Sequence, residues 1–239
     1  MDRKALFEDY WDASYKRGNI LNRQQFDKAA EAFDQAYKGY LPSEKTANIL
    51  DFGCGCGHFL FYLKKKGYTN VLGVDISKSQ VDYCRRHVFA NVREIDGMTF
   101  LFGKKEHYDV IAAHDVQEHI PKADILEFLR LTRQALRPGG VFITRVPNMS
   151  NPFGLDARYS DFTHEIGFTE KSLFQVLWSA GFRDITVLPP RKIAVKSFKN
   201  LVRRLLVAAL HQGIRWCFYI QDYSVPRVLD KNLTAVARR

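Results

Sequence analysis

Short apolar runs along this chain alternate with longer stretches whose apolar residues recur every three or four positions. That is the pattern of a largely parallel sheet covered by helices on both faces. The runs predict strands over 48–53, 70–76, 92–96, 108–115, 141–147, 184–188 and 233–237. Helices are predicted over 58–66, 77–87, 122–136 and 169–180. Ser77 and Thr169 stand where N-caps belong. Gly181, and the run Arg137-Pro138-Gly139-Gly140, stand where helices stop.

Two segments fall outside this alternation. Residues 1–47 read as helices, with Phe26, Ala29, Ala30, Phe33 and Tyr37 at helical spacing. Residues 189–231 separate the last two strands with a basic helical insertion. The predicted organisation is a helical cap (1–47), one α/β domain (48–188 with 232–239) and the insertion (189–231).

The chain has 239 residues, of which 46% are hydrophobic and 26% charged. That composition builds a packed core and excludes a disordered or disulfide-scaffold protein. No run of about 18 apolar residues occurs, so no transmembrane helix is predicted. Met1-Asp2-Arg3-Lys4 is followed by no apolar signal core, and the expected compartment is the cytoplasm. The net charge of +10 is local. Residues 191–239 carry 11 Lys/Arg against Asp222 and Asp230, a net of +9, which leaves +1 for the rest. This places one cationic surface on an otherwise balanced protein. The four cysteines, Cys54, Cys56, Cys84 and Cys217, lack zinc spacing and read as reduced thiols.

The first strand ends in Asp51-Phe52-Gly53-Cys54-Gly55-Cys56-Gly57 and runs into a helix. Glycines there let a ligand approach the backbone, and the helix start offers unpaired N–H groups. A dinucleotide fingerprint would need glycine at position 58, which is His58, and no P-loop Gly-Lys-Ser/Thr follows. The form is Asp-x-Gly-x-Gly-x-Gly, with Asp75 at the end of the next strand.

These residues, with VLGVDIS, the Asp96-Gly97 pair, YDVIAAHDVQEH and LRPGG in that order, resemble the class I S-adenosylmethionine-dependent methyltransferases. The resemblance implies a Rossmann-like, doubly wound sheet of seven strands with the last antiparallel, and S-adenosylmethionine as cofactor. It implies that Asp75 accepts from the ribose hydroxyls and that Gly53, Cys54, Gly55 and Gly57 make room for the methionyl part, helped by Asp51. It places Asp96 at the adenine amino group, Gly97, Met98 and Ile76 on the ring, and His114 and Asp115 beside the sulfonium. The N-terminal helices would close over this donor.

Methylating a hydroxyl needs a base, because its proton must leave. The chain lacks the Asn/Asp-Pro-Pro-aromatic run of amino-methylating DNA and rRNA enzymes, which argues against N6-adenine chemistry; with no recognisable RNA-binding module and a neutral catalytic half, nucleic acid is not the expected partner. Asp115-Val116-Gln117-Glu118-His119 resembles the Glu-x-x-Glu-His stretch of ubiquinone-pathway O-methyltransferases, where acids and histidine accompany a divalent metal. Here Asp replaces the first Glu and no fourth ligand is visible, so Asp115, Glu118 and His119 would suit Mg²⁺ but no metal is assigned. His119 is a base candidate without one.

A second cluster, Arg158-Tyr159-Ser160-Asp161-Phe162-Thr163-His164-Glu165, leaves the carboxyl edge of the sheet. It is similar to methyltransferases encoded with bacterial surface-polysaccharide genes. Asn148, Arg158, Tyr159 and Glu165 are expected to grip acceptor hydroxyls, and His164 is a second base, oriented by Asp161. Residues 196–220, a basic amphipathic helix with trailing aromatics, suit the anionic inner face of a membrane and a lipid-linked acceptor. The expected activity is O-methylation of a glycan or small molecule. A lipid-phase quinone or phenol precursor and a non-catalytic S-adenosylmethionine binder are the alternatives.

Overall fold

The computed structural model describes Phe7, Trp11, and residues 21–189 and 197–239. The remainder of the expected N-terminal cap and residues 190–196 of the insertion lie outside the described residues. Helix α1 (Arg23–Tyr37) is capped by Asn22, whose side chain accepts from the Gln25 amide. There follow β1 (Ile49–Phe52), α2 (His58–Lys65), β2 (Val71–Asp75), α3 (Lys78–His87), β3 (Val92–Glu94) and α4 (Gly97–Leu101). Next come β4 (Tyr108–His114), a 3₁₀ turn (Gln117–His119), α5 (Ile125–Ala135) and β5 (Leu136–Pro147). The chain ends with α6 (Gly154–Tyr159), α7 (Glu170–Ser179), β6 (Ile185–Val187), α8 (Phe198–Ile220) and β7 (Asn232–Arg238).

The seven strands form one sheet in the order β3-β2-β1-β4-β5-β7-β6, as expected of this fold class. Pairs among β1 to β5 are parallel, and β7 runs antiparallel to both β5 and β6. The order reverses between β1 and β4, and a parallel sheet opens a crevice at its carboxyl edge there.

Both faces are covered, which is why β1 is buried at every position. One face packs on α4, α5 and α7 through Phe100, Phe128, Leu129, Leu173 and Leu177. The other packs on α1, α2 and α3 through Phe33, Tyr37, Phe59, Leu63 and Val81. Phe128 is fully buried, so truncating it to Ala would cost about 3–5 kcal/mol.

Most element boundaries lie within a residue or two of their expected positions, and Thr169 caps α7 in a capping box with Ser172. One difference concerns Leu-Arg-Pro-Gly-Gly. The strand already begins at Leu136, which pairs with Tyr108 before a bulge brings Val141 opposite Val110. Gly139, at φ +75°, makes that irregular passage possible. Helix α8 differs from all other helices of eight or more residues described, because none of its residues is buried. Phe198, Leu205, Leu206, Trp216 and Ile220 are all exposed.

Candidate active site

The loops leaving β1, β2, β4 and β5 line a cavity of about 700 Å³, within the usual range for a small-molecule site. Its walls divide into two halves.

The first half is built on backbone. At Gly53, φ is +68°, and a Cβ there would overlap Val116 Cγ2. Only glycine turns the chain here without moving the loop after β4. Asp75 Oδ2 accepts from the Gly55 amide at 2.8 Å and Oδ1 from the Ser77 amide at 2.8 Å. Burial raises the Asp75 pKa, and the amide bonds from Ser77, Gly55 and Ile76 oppose the rise. Asp51 lies at the end of β1, 2% exposed, and its Oδ2 has no hydrogen-bond partner. Burial and the neighbouring Asp75 charge push its pKa well above the carboxylate range. An orphaned buried carboxylate costs free energy until a donor or cation reaches it. Ile76, Ile95, Asp96, Gly97 and Met98 continue the wall, and Asp96 caps α4 by accepting from the Thr99 amide at 2.9 Å. Of the expected cofactor residues only Gly57 stays out of the wall; it caps α2 instead.

This half fits S-adenosylmethionine on its own chemistry. The unsatisfied Asp51 oxygen suits an ammonium. Asp75, already oriented by two amides, suits the ribose diol, and the Gly97–Met98 wall suits a flat ring.

The second half is built from side chains. Asp115 sits at φ +55°, a left-handed conformation that non-glycine residues hold at a cost of about 1–2 kcal/mol. Arg145 at the end of β5 pins it: Nε donates to Oδ1 at 3.0 Å, and Nη2 donates to Oδ2. Burial works to raise the Asp115 pKa, and the guanidinium overrides it, so the carboxyl falls below its usual range. Asp115, which would suit Mg²⁺ beside Glu118 and His119, is thus already paired with a cation. The ligand atoms that do converge are those of Glu118, His119 and His164, within 4.8 Å of one another, and this trio could hold a metal. Glu118 is 1% exposed, and neither carboxylate oxygen has a hydrogen-bond partner. Burial, then the Asp115 charge, raise its pKa well above normal.

His114 Nε2 lies 3.1 Å from Tyr37 Oη. Burial, aided by Arg145, depresses its pKa to about 3. His119 and His164 meet edge to face at 4.6 Å between centroids. His119 Nδ1 lies 2.8 Å from Thr163 Oγ1, and burial, followed by the His164 charge, lowers its pKa to about 4. His164 is oriented differently from expectation. Its Nδ1 donates to the Ala157 carbonyl at 2.7 Å, while Asp161 Oδ2 stays 4.0 Å from its Nε2. Asp161 instead accepts from the Thr163 amide (2.9 Å) and hydroxyl (2.6 Å), closing a tight turn of the loop.

None of Asn148, Arg158, Tyr159 and Glu165 lines the cavity. Asn148 is fully buried and donates to the Val228 and Asp230 carbonyls, tying the loop to the chain before β7. Arg158 donates to the backbone carbonyls of His164 and Glu165. Tyr159 is 75% exposed and stacks under Arg158. Glu165 offers its amide to the Glu118 carbonyl at 2.6 Å. The Asn148 and Arg158 side chains, expected to face a ligand, here satisfy backbone carbonyls. Arg145, Lys231 and Asn232 line the wall without having been singled out in the sequence, and Thr163, named there without a role, stands behind it. Arg145 alone carried a signal: a cation at the inner end of an apolar strand.

A family model described as "Methyltransferase domain" matches residues 19–187, most of the chain. The chain belongs to this methyltransferase family. Its strand order is that of the class I fold. Among curated proteins it is 28% identical over 154 residues to the ubiquinone biosynthesis O-methyltransferase of Ruegeria pomeroyi, a match covering 61% of each chain. The corresponding protein of Bartonella tribocorum is 33% identical over 104 residues, covering 42% of this chain and 41% of its own. A SAM-dependent methyltransferase from Archaeoglobus fulgidus superposes over 100% of both chains with a TM-score of 0.69 and 21% identity, a likeness of fold.

Proposed function

We propose that this protein is an S-adenosylmethionine-dependent O-methyltransferase acting on a hydroxyl of a glycan or small molecule in surface-polysaccharide biosynthesis. The observation that carries the O-methylation reading is the pair of histidines, His119 and His164, in the same cavity as Asp51 and Asp75. The cofactor supplies a methyl group already activated on a sulfonium. Asp75 and Asp51 would hold its ribose and ammonium, and Asp96, Gly97, Met98 and Ile76 its base. With the donor so activated, the chain's task is to position, exclude water and take one proton. His119, neutral above pH of about 4, takes the acceptor's proton, and His164 beside it is the second candidate. Phe33 and Ala29 of α1 line the cavity and support the reading of the N-terminal helix as a cover.

The glycan acceptor rests on the resemblance of the 158–169 loop. A second reading, a phenol of a quinone precursor, is favoured by the curated relatives and by the apolar Val116, Ile120 and Pro147 in the wall. Incubating labelled donor with fractionated cell extract separates them: label in aqueous sugar supports the first, and label in the lipid extract supports the second. Rate dependence on an added divalent cation would also favour the second, through Glu118, His119 and His164. Donor binding with no labelled fraction would leave a non-catalytic binder.

The exposed face of α8 supports membrane association. Most of its large apolar residues are exposed, Lys199, Arg203 and Arg204 lie beside them, and no acid occurs from 191 to 221. That is the composition of an interfacial helix at anionic lipid. Co-sedimentation with vesicles containing anionic lipid should lose most pelleting when residues 196–220 are deleted; equal pelleting would dismiss the membrane contact. No helix among the described residues is long and apolar enough to cross a membrane.

A further inference from the structure

Thr163 links two groups that sequence spacing keeps 42 residues apart, His119 and Asp161. Its hydroxyl lies 2.6 Å from Asp161 Oδ1 and 2.8 Å from His119 Nδ1. A hydroxyl has one proton to give. The same Asp161 oxygen also accepts the Thr163 amide at 2.9 Å, which marks it as an acceptor. The hydroxyl proton therefore goes to the carboxylate, where the bond is charge-assisted. The hydroxyl oxygen is then left to accept, and His119 Nδ1 must be the donor.

We propose that Thr163 and Asp161 are positioning residues that fix His119 as the Nδ1–H tautomer, so that the lone pair sits on Nε2. Both come from the loop after β5, whereas His119 belongs to the loop after β4. The pairing therefore also sets which way the imidazole plane faces across the junction. A carboxylate that reaches an imidazole through a threonine hydroxyl does what a directly bonded one does: it selects the tautomer and the ring orientation. The same orientation would serve whether Nε2 takes a proton or meets a cation.

His164 provides an internal reference. A carbonyl oxygen can only accept, so its Nδ1, 2.7 Å from the Ala157 carbonyl, must also carry a proton. Both histidines thus present the same tautomer, one held by backbone and the other by a side-chain relay. Only the relay is removable by substitution.

Long-range ¹H–¹⁵N correlation spectra of the full-length protein near pH 7.5, with chelator present, read each tautomer directly. His119 should show a protonated Nδ1 and an unprotonated Nε2, matching His164. Thr163→Val, nearly isosteric without the hydroxyl, should move the His119 signals toward the Nε2–H form or a mixture and leave His164 unchanged. Thr163→Ser should restore the original pattern. In turnover, Thr163→Val should lower kcat roughly 10- to 100-fold with donor affinity unchanged, the usual cost of losing a histidine's outer partner. An Nε2–H His119 in the unaltered protein overturns the proposal without any variant needing to fold, and so does a Thr163→Val spectrum identical to it. The inference rests on the reading of His119 as proton acceptor, and the two fail separately. A fully active His119→Ala protein would remove that reading, while the tautomer would still be decided by the spectrum.

Discussion

The half of the cavity proposed for the donor and the half proposed for the acceptor are held in shape by different parts of the polypeptide. In the donor half, backbone amides of Gly55 and Ser77 hold Asp75, and the positive φ of Gly53 sets the loop. In the acceptor half, side chains hold one another across long sequence distances: Arg145 holds Asp115, Tyr37 meets His114, and Thr163 meets His119. A backbone cradle tolerates change in almost every side chain except its glycines and its few acids. A side-chain lattice can be re-cut by single substitutions. The first suits a cofactor that does not change, and the second suits an acceptor that does.

The contrast is tested most sharply at Asp75. Asp75→Ala removes two hydrogen bonds to a charged group, about 1.5–3 kcal/mol each, so calorimetry should find donor affinity lower by about 10²–10⁴. Unchanged affinity would refute the ribose assignment. In the other half the reverse split is expected. His119→Ala should lower turnover by about 10²–10⁴ with donor affinity unchanged, and His164→Ala should do so only if that residue takes the proton. If neither variant slows methyl transfer, the base lies elsewhere.

Acid separates the halves by stability. His114 and His119 have folded pKa values lowered by burial to about 3 and about 4, against about 6.5 when unfolded. Their neutral forms favour the fold above pH of about 6.5. As pH falls from there toward 4, the unfolded chain binds protons that the native one refuses. Stability should then drop by up to about 2.7 kcal/mol per pH unit for the two together, as denaturant titrations would read. Replacing both by Gln should flatten that slope, and a slope as steep as before would put the titrating groups elsewhere. Gly53→Ala should have the smallest effect on the fold. A left-handed alanine costs about 1–2 kcal/mol, lowering Tm by about 2–8 °C, and donor binding should suffer more than this alone explains because Val116 must move.

The same contrast explains what could be read in advance. The strands and the glycine loop followed from apolar periodicity and from Asp-x-Gly-x-Gly-x-Gly, because local conformation and strand burial depend on neighbouring residues; the order of the strands came from the resemblance. Asn148 and Arg158 were less legible, for the opposite reason. A polar side chain in a loop serves equally well toward a ligand or toward an unsatisfied carbonyl, and only the path of the loop decides which. Asn148 ended with its amide on the Val228 and Asp230 carbonyls, some 80 residues away in the chain.

By itself, the order of residues determined the fold class, the strand that carries Asp51, the acid that follows β2 and the basic run between the last strands. These depend on period, on glycine's backbone freedom and on charge counts, all of which are local. Tertiary structure alone decided that Arg145 pairs with Asp115, that the Asp161 carboxylate accepts from Thr163 rather than bonding His164, and that no residue of α8 is fully buried. Each of these is a competition between partners distant in the chain, settled by which side chains the sheet and its loops bring within about 3 Å, the range over which a hydrogen bond exists at all.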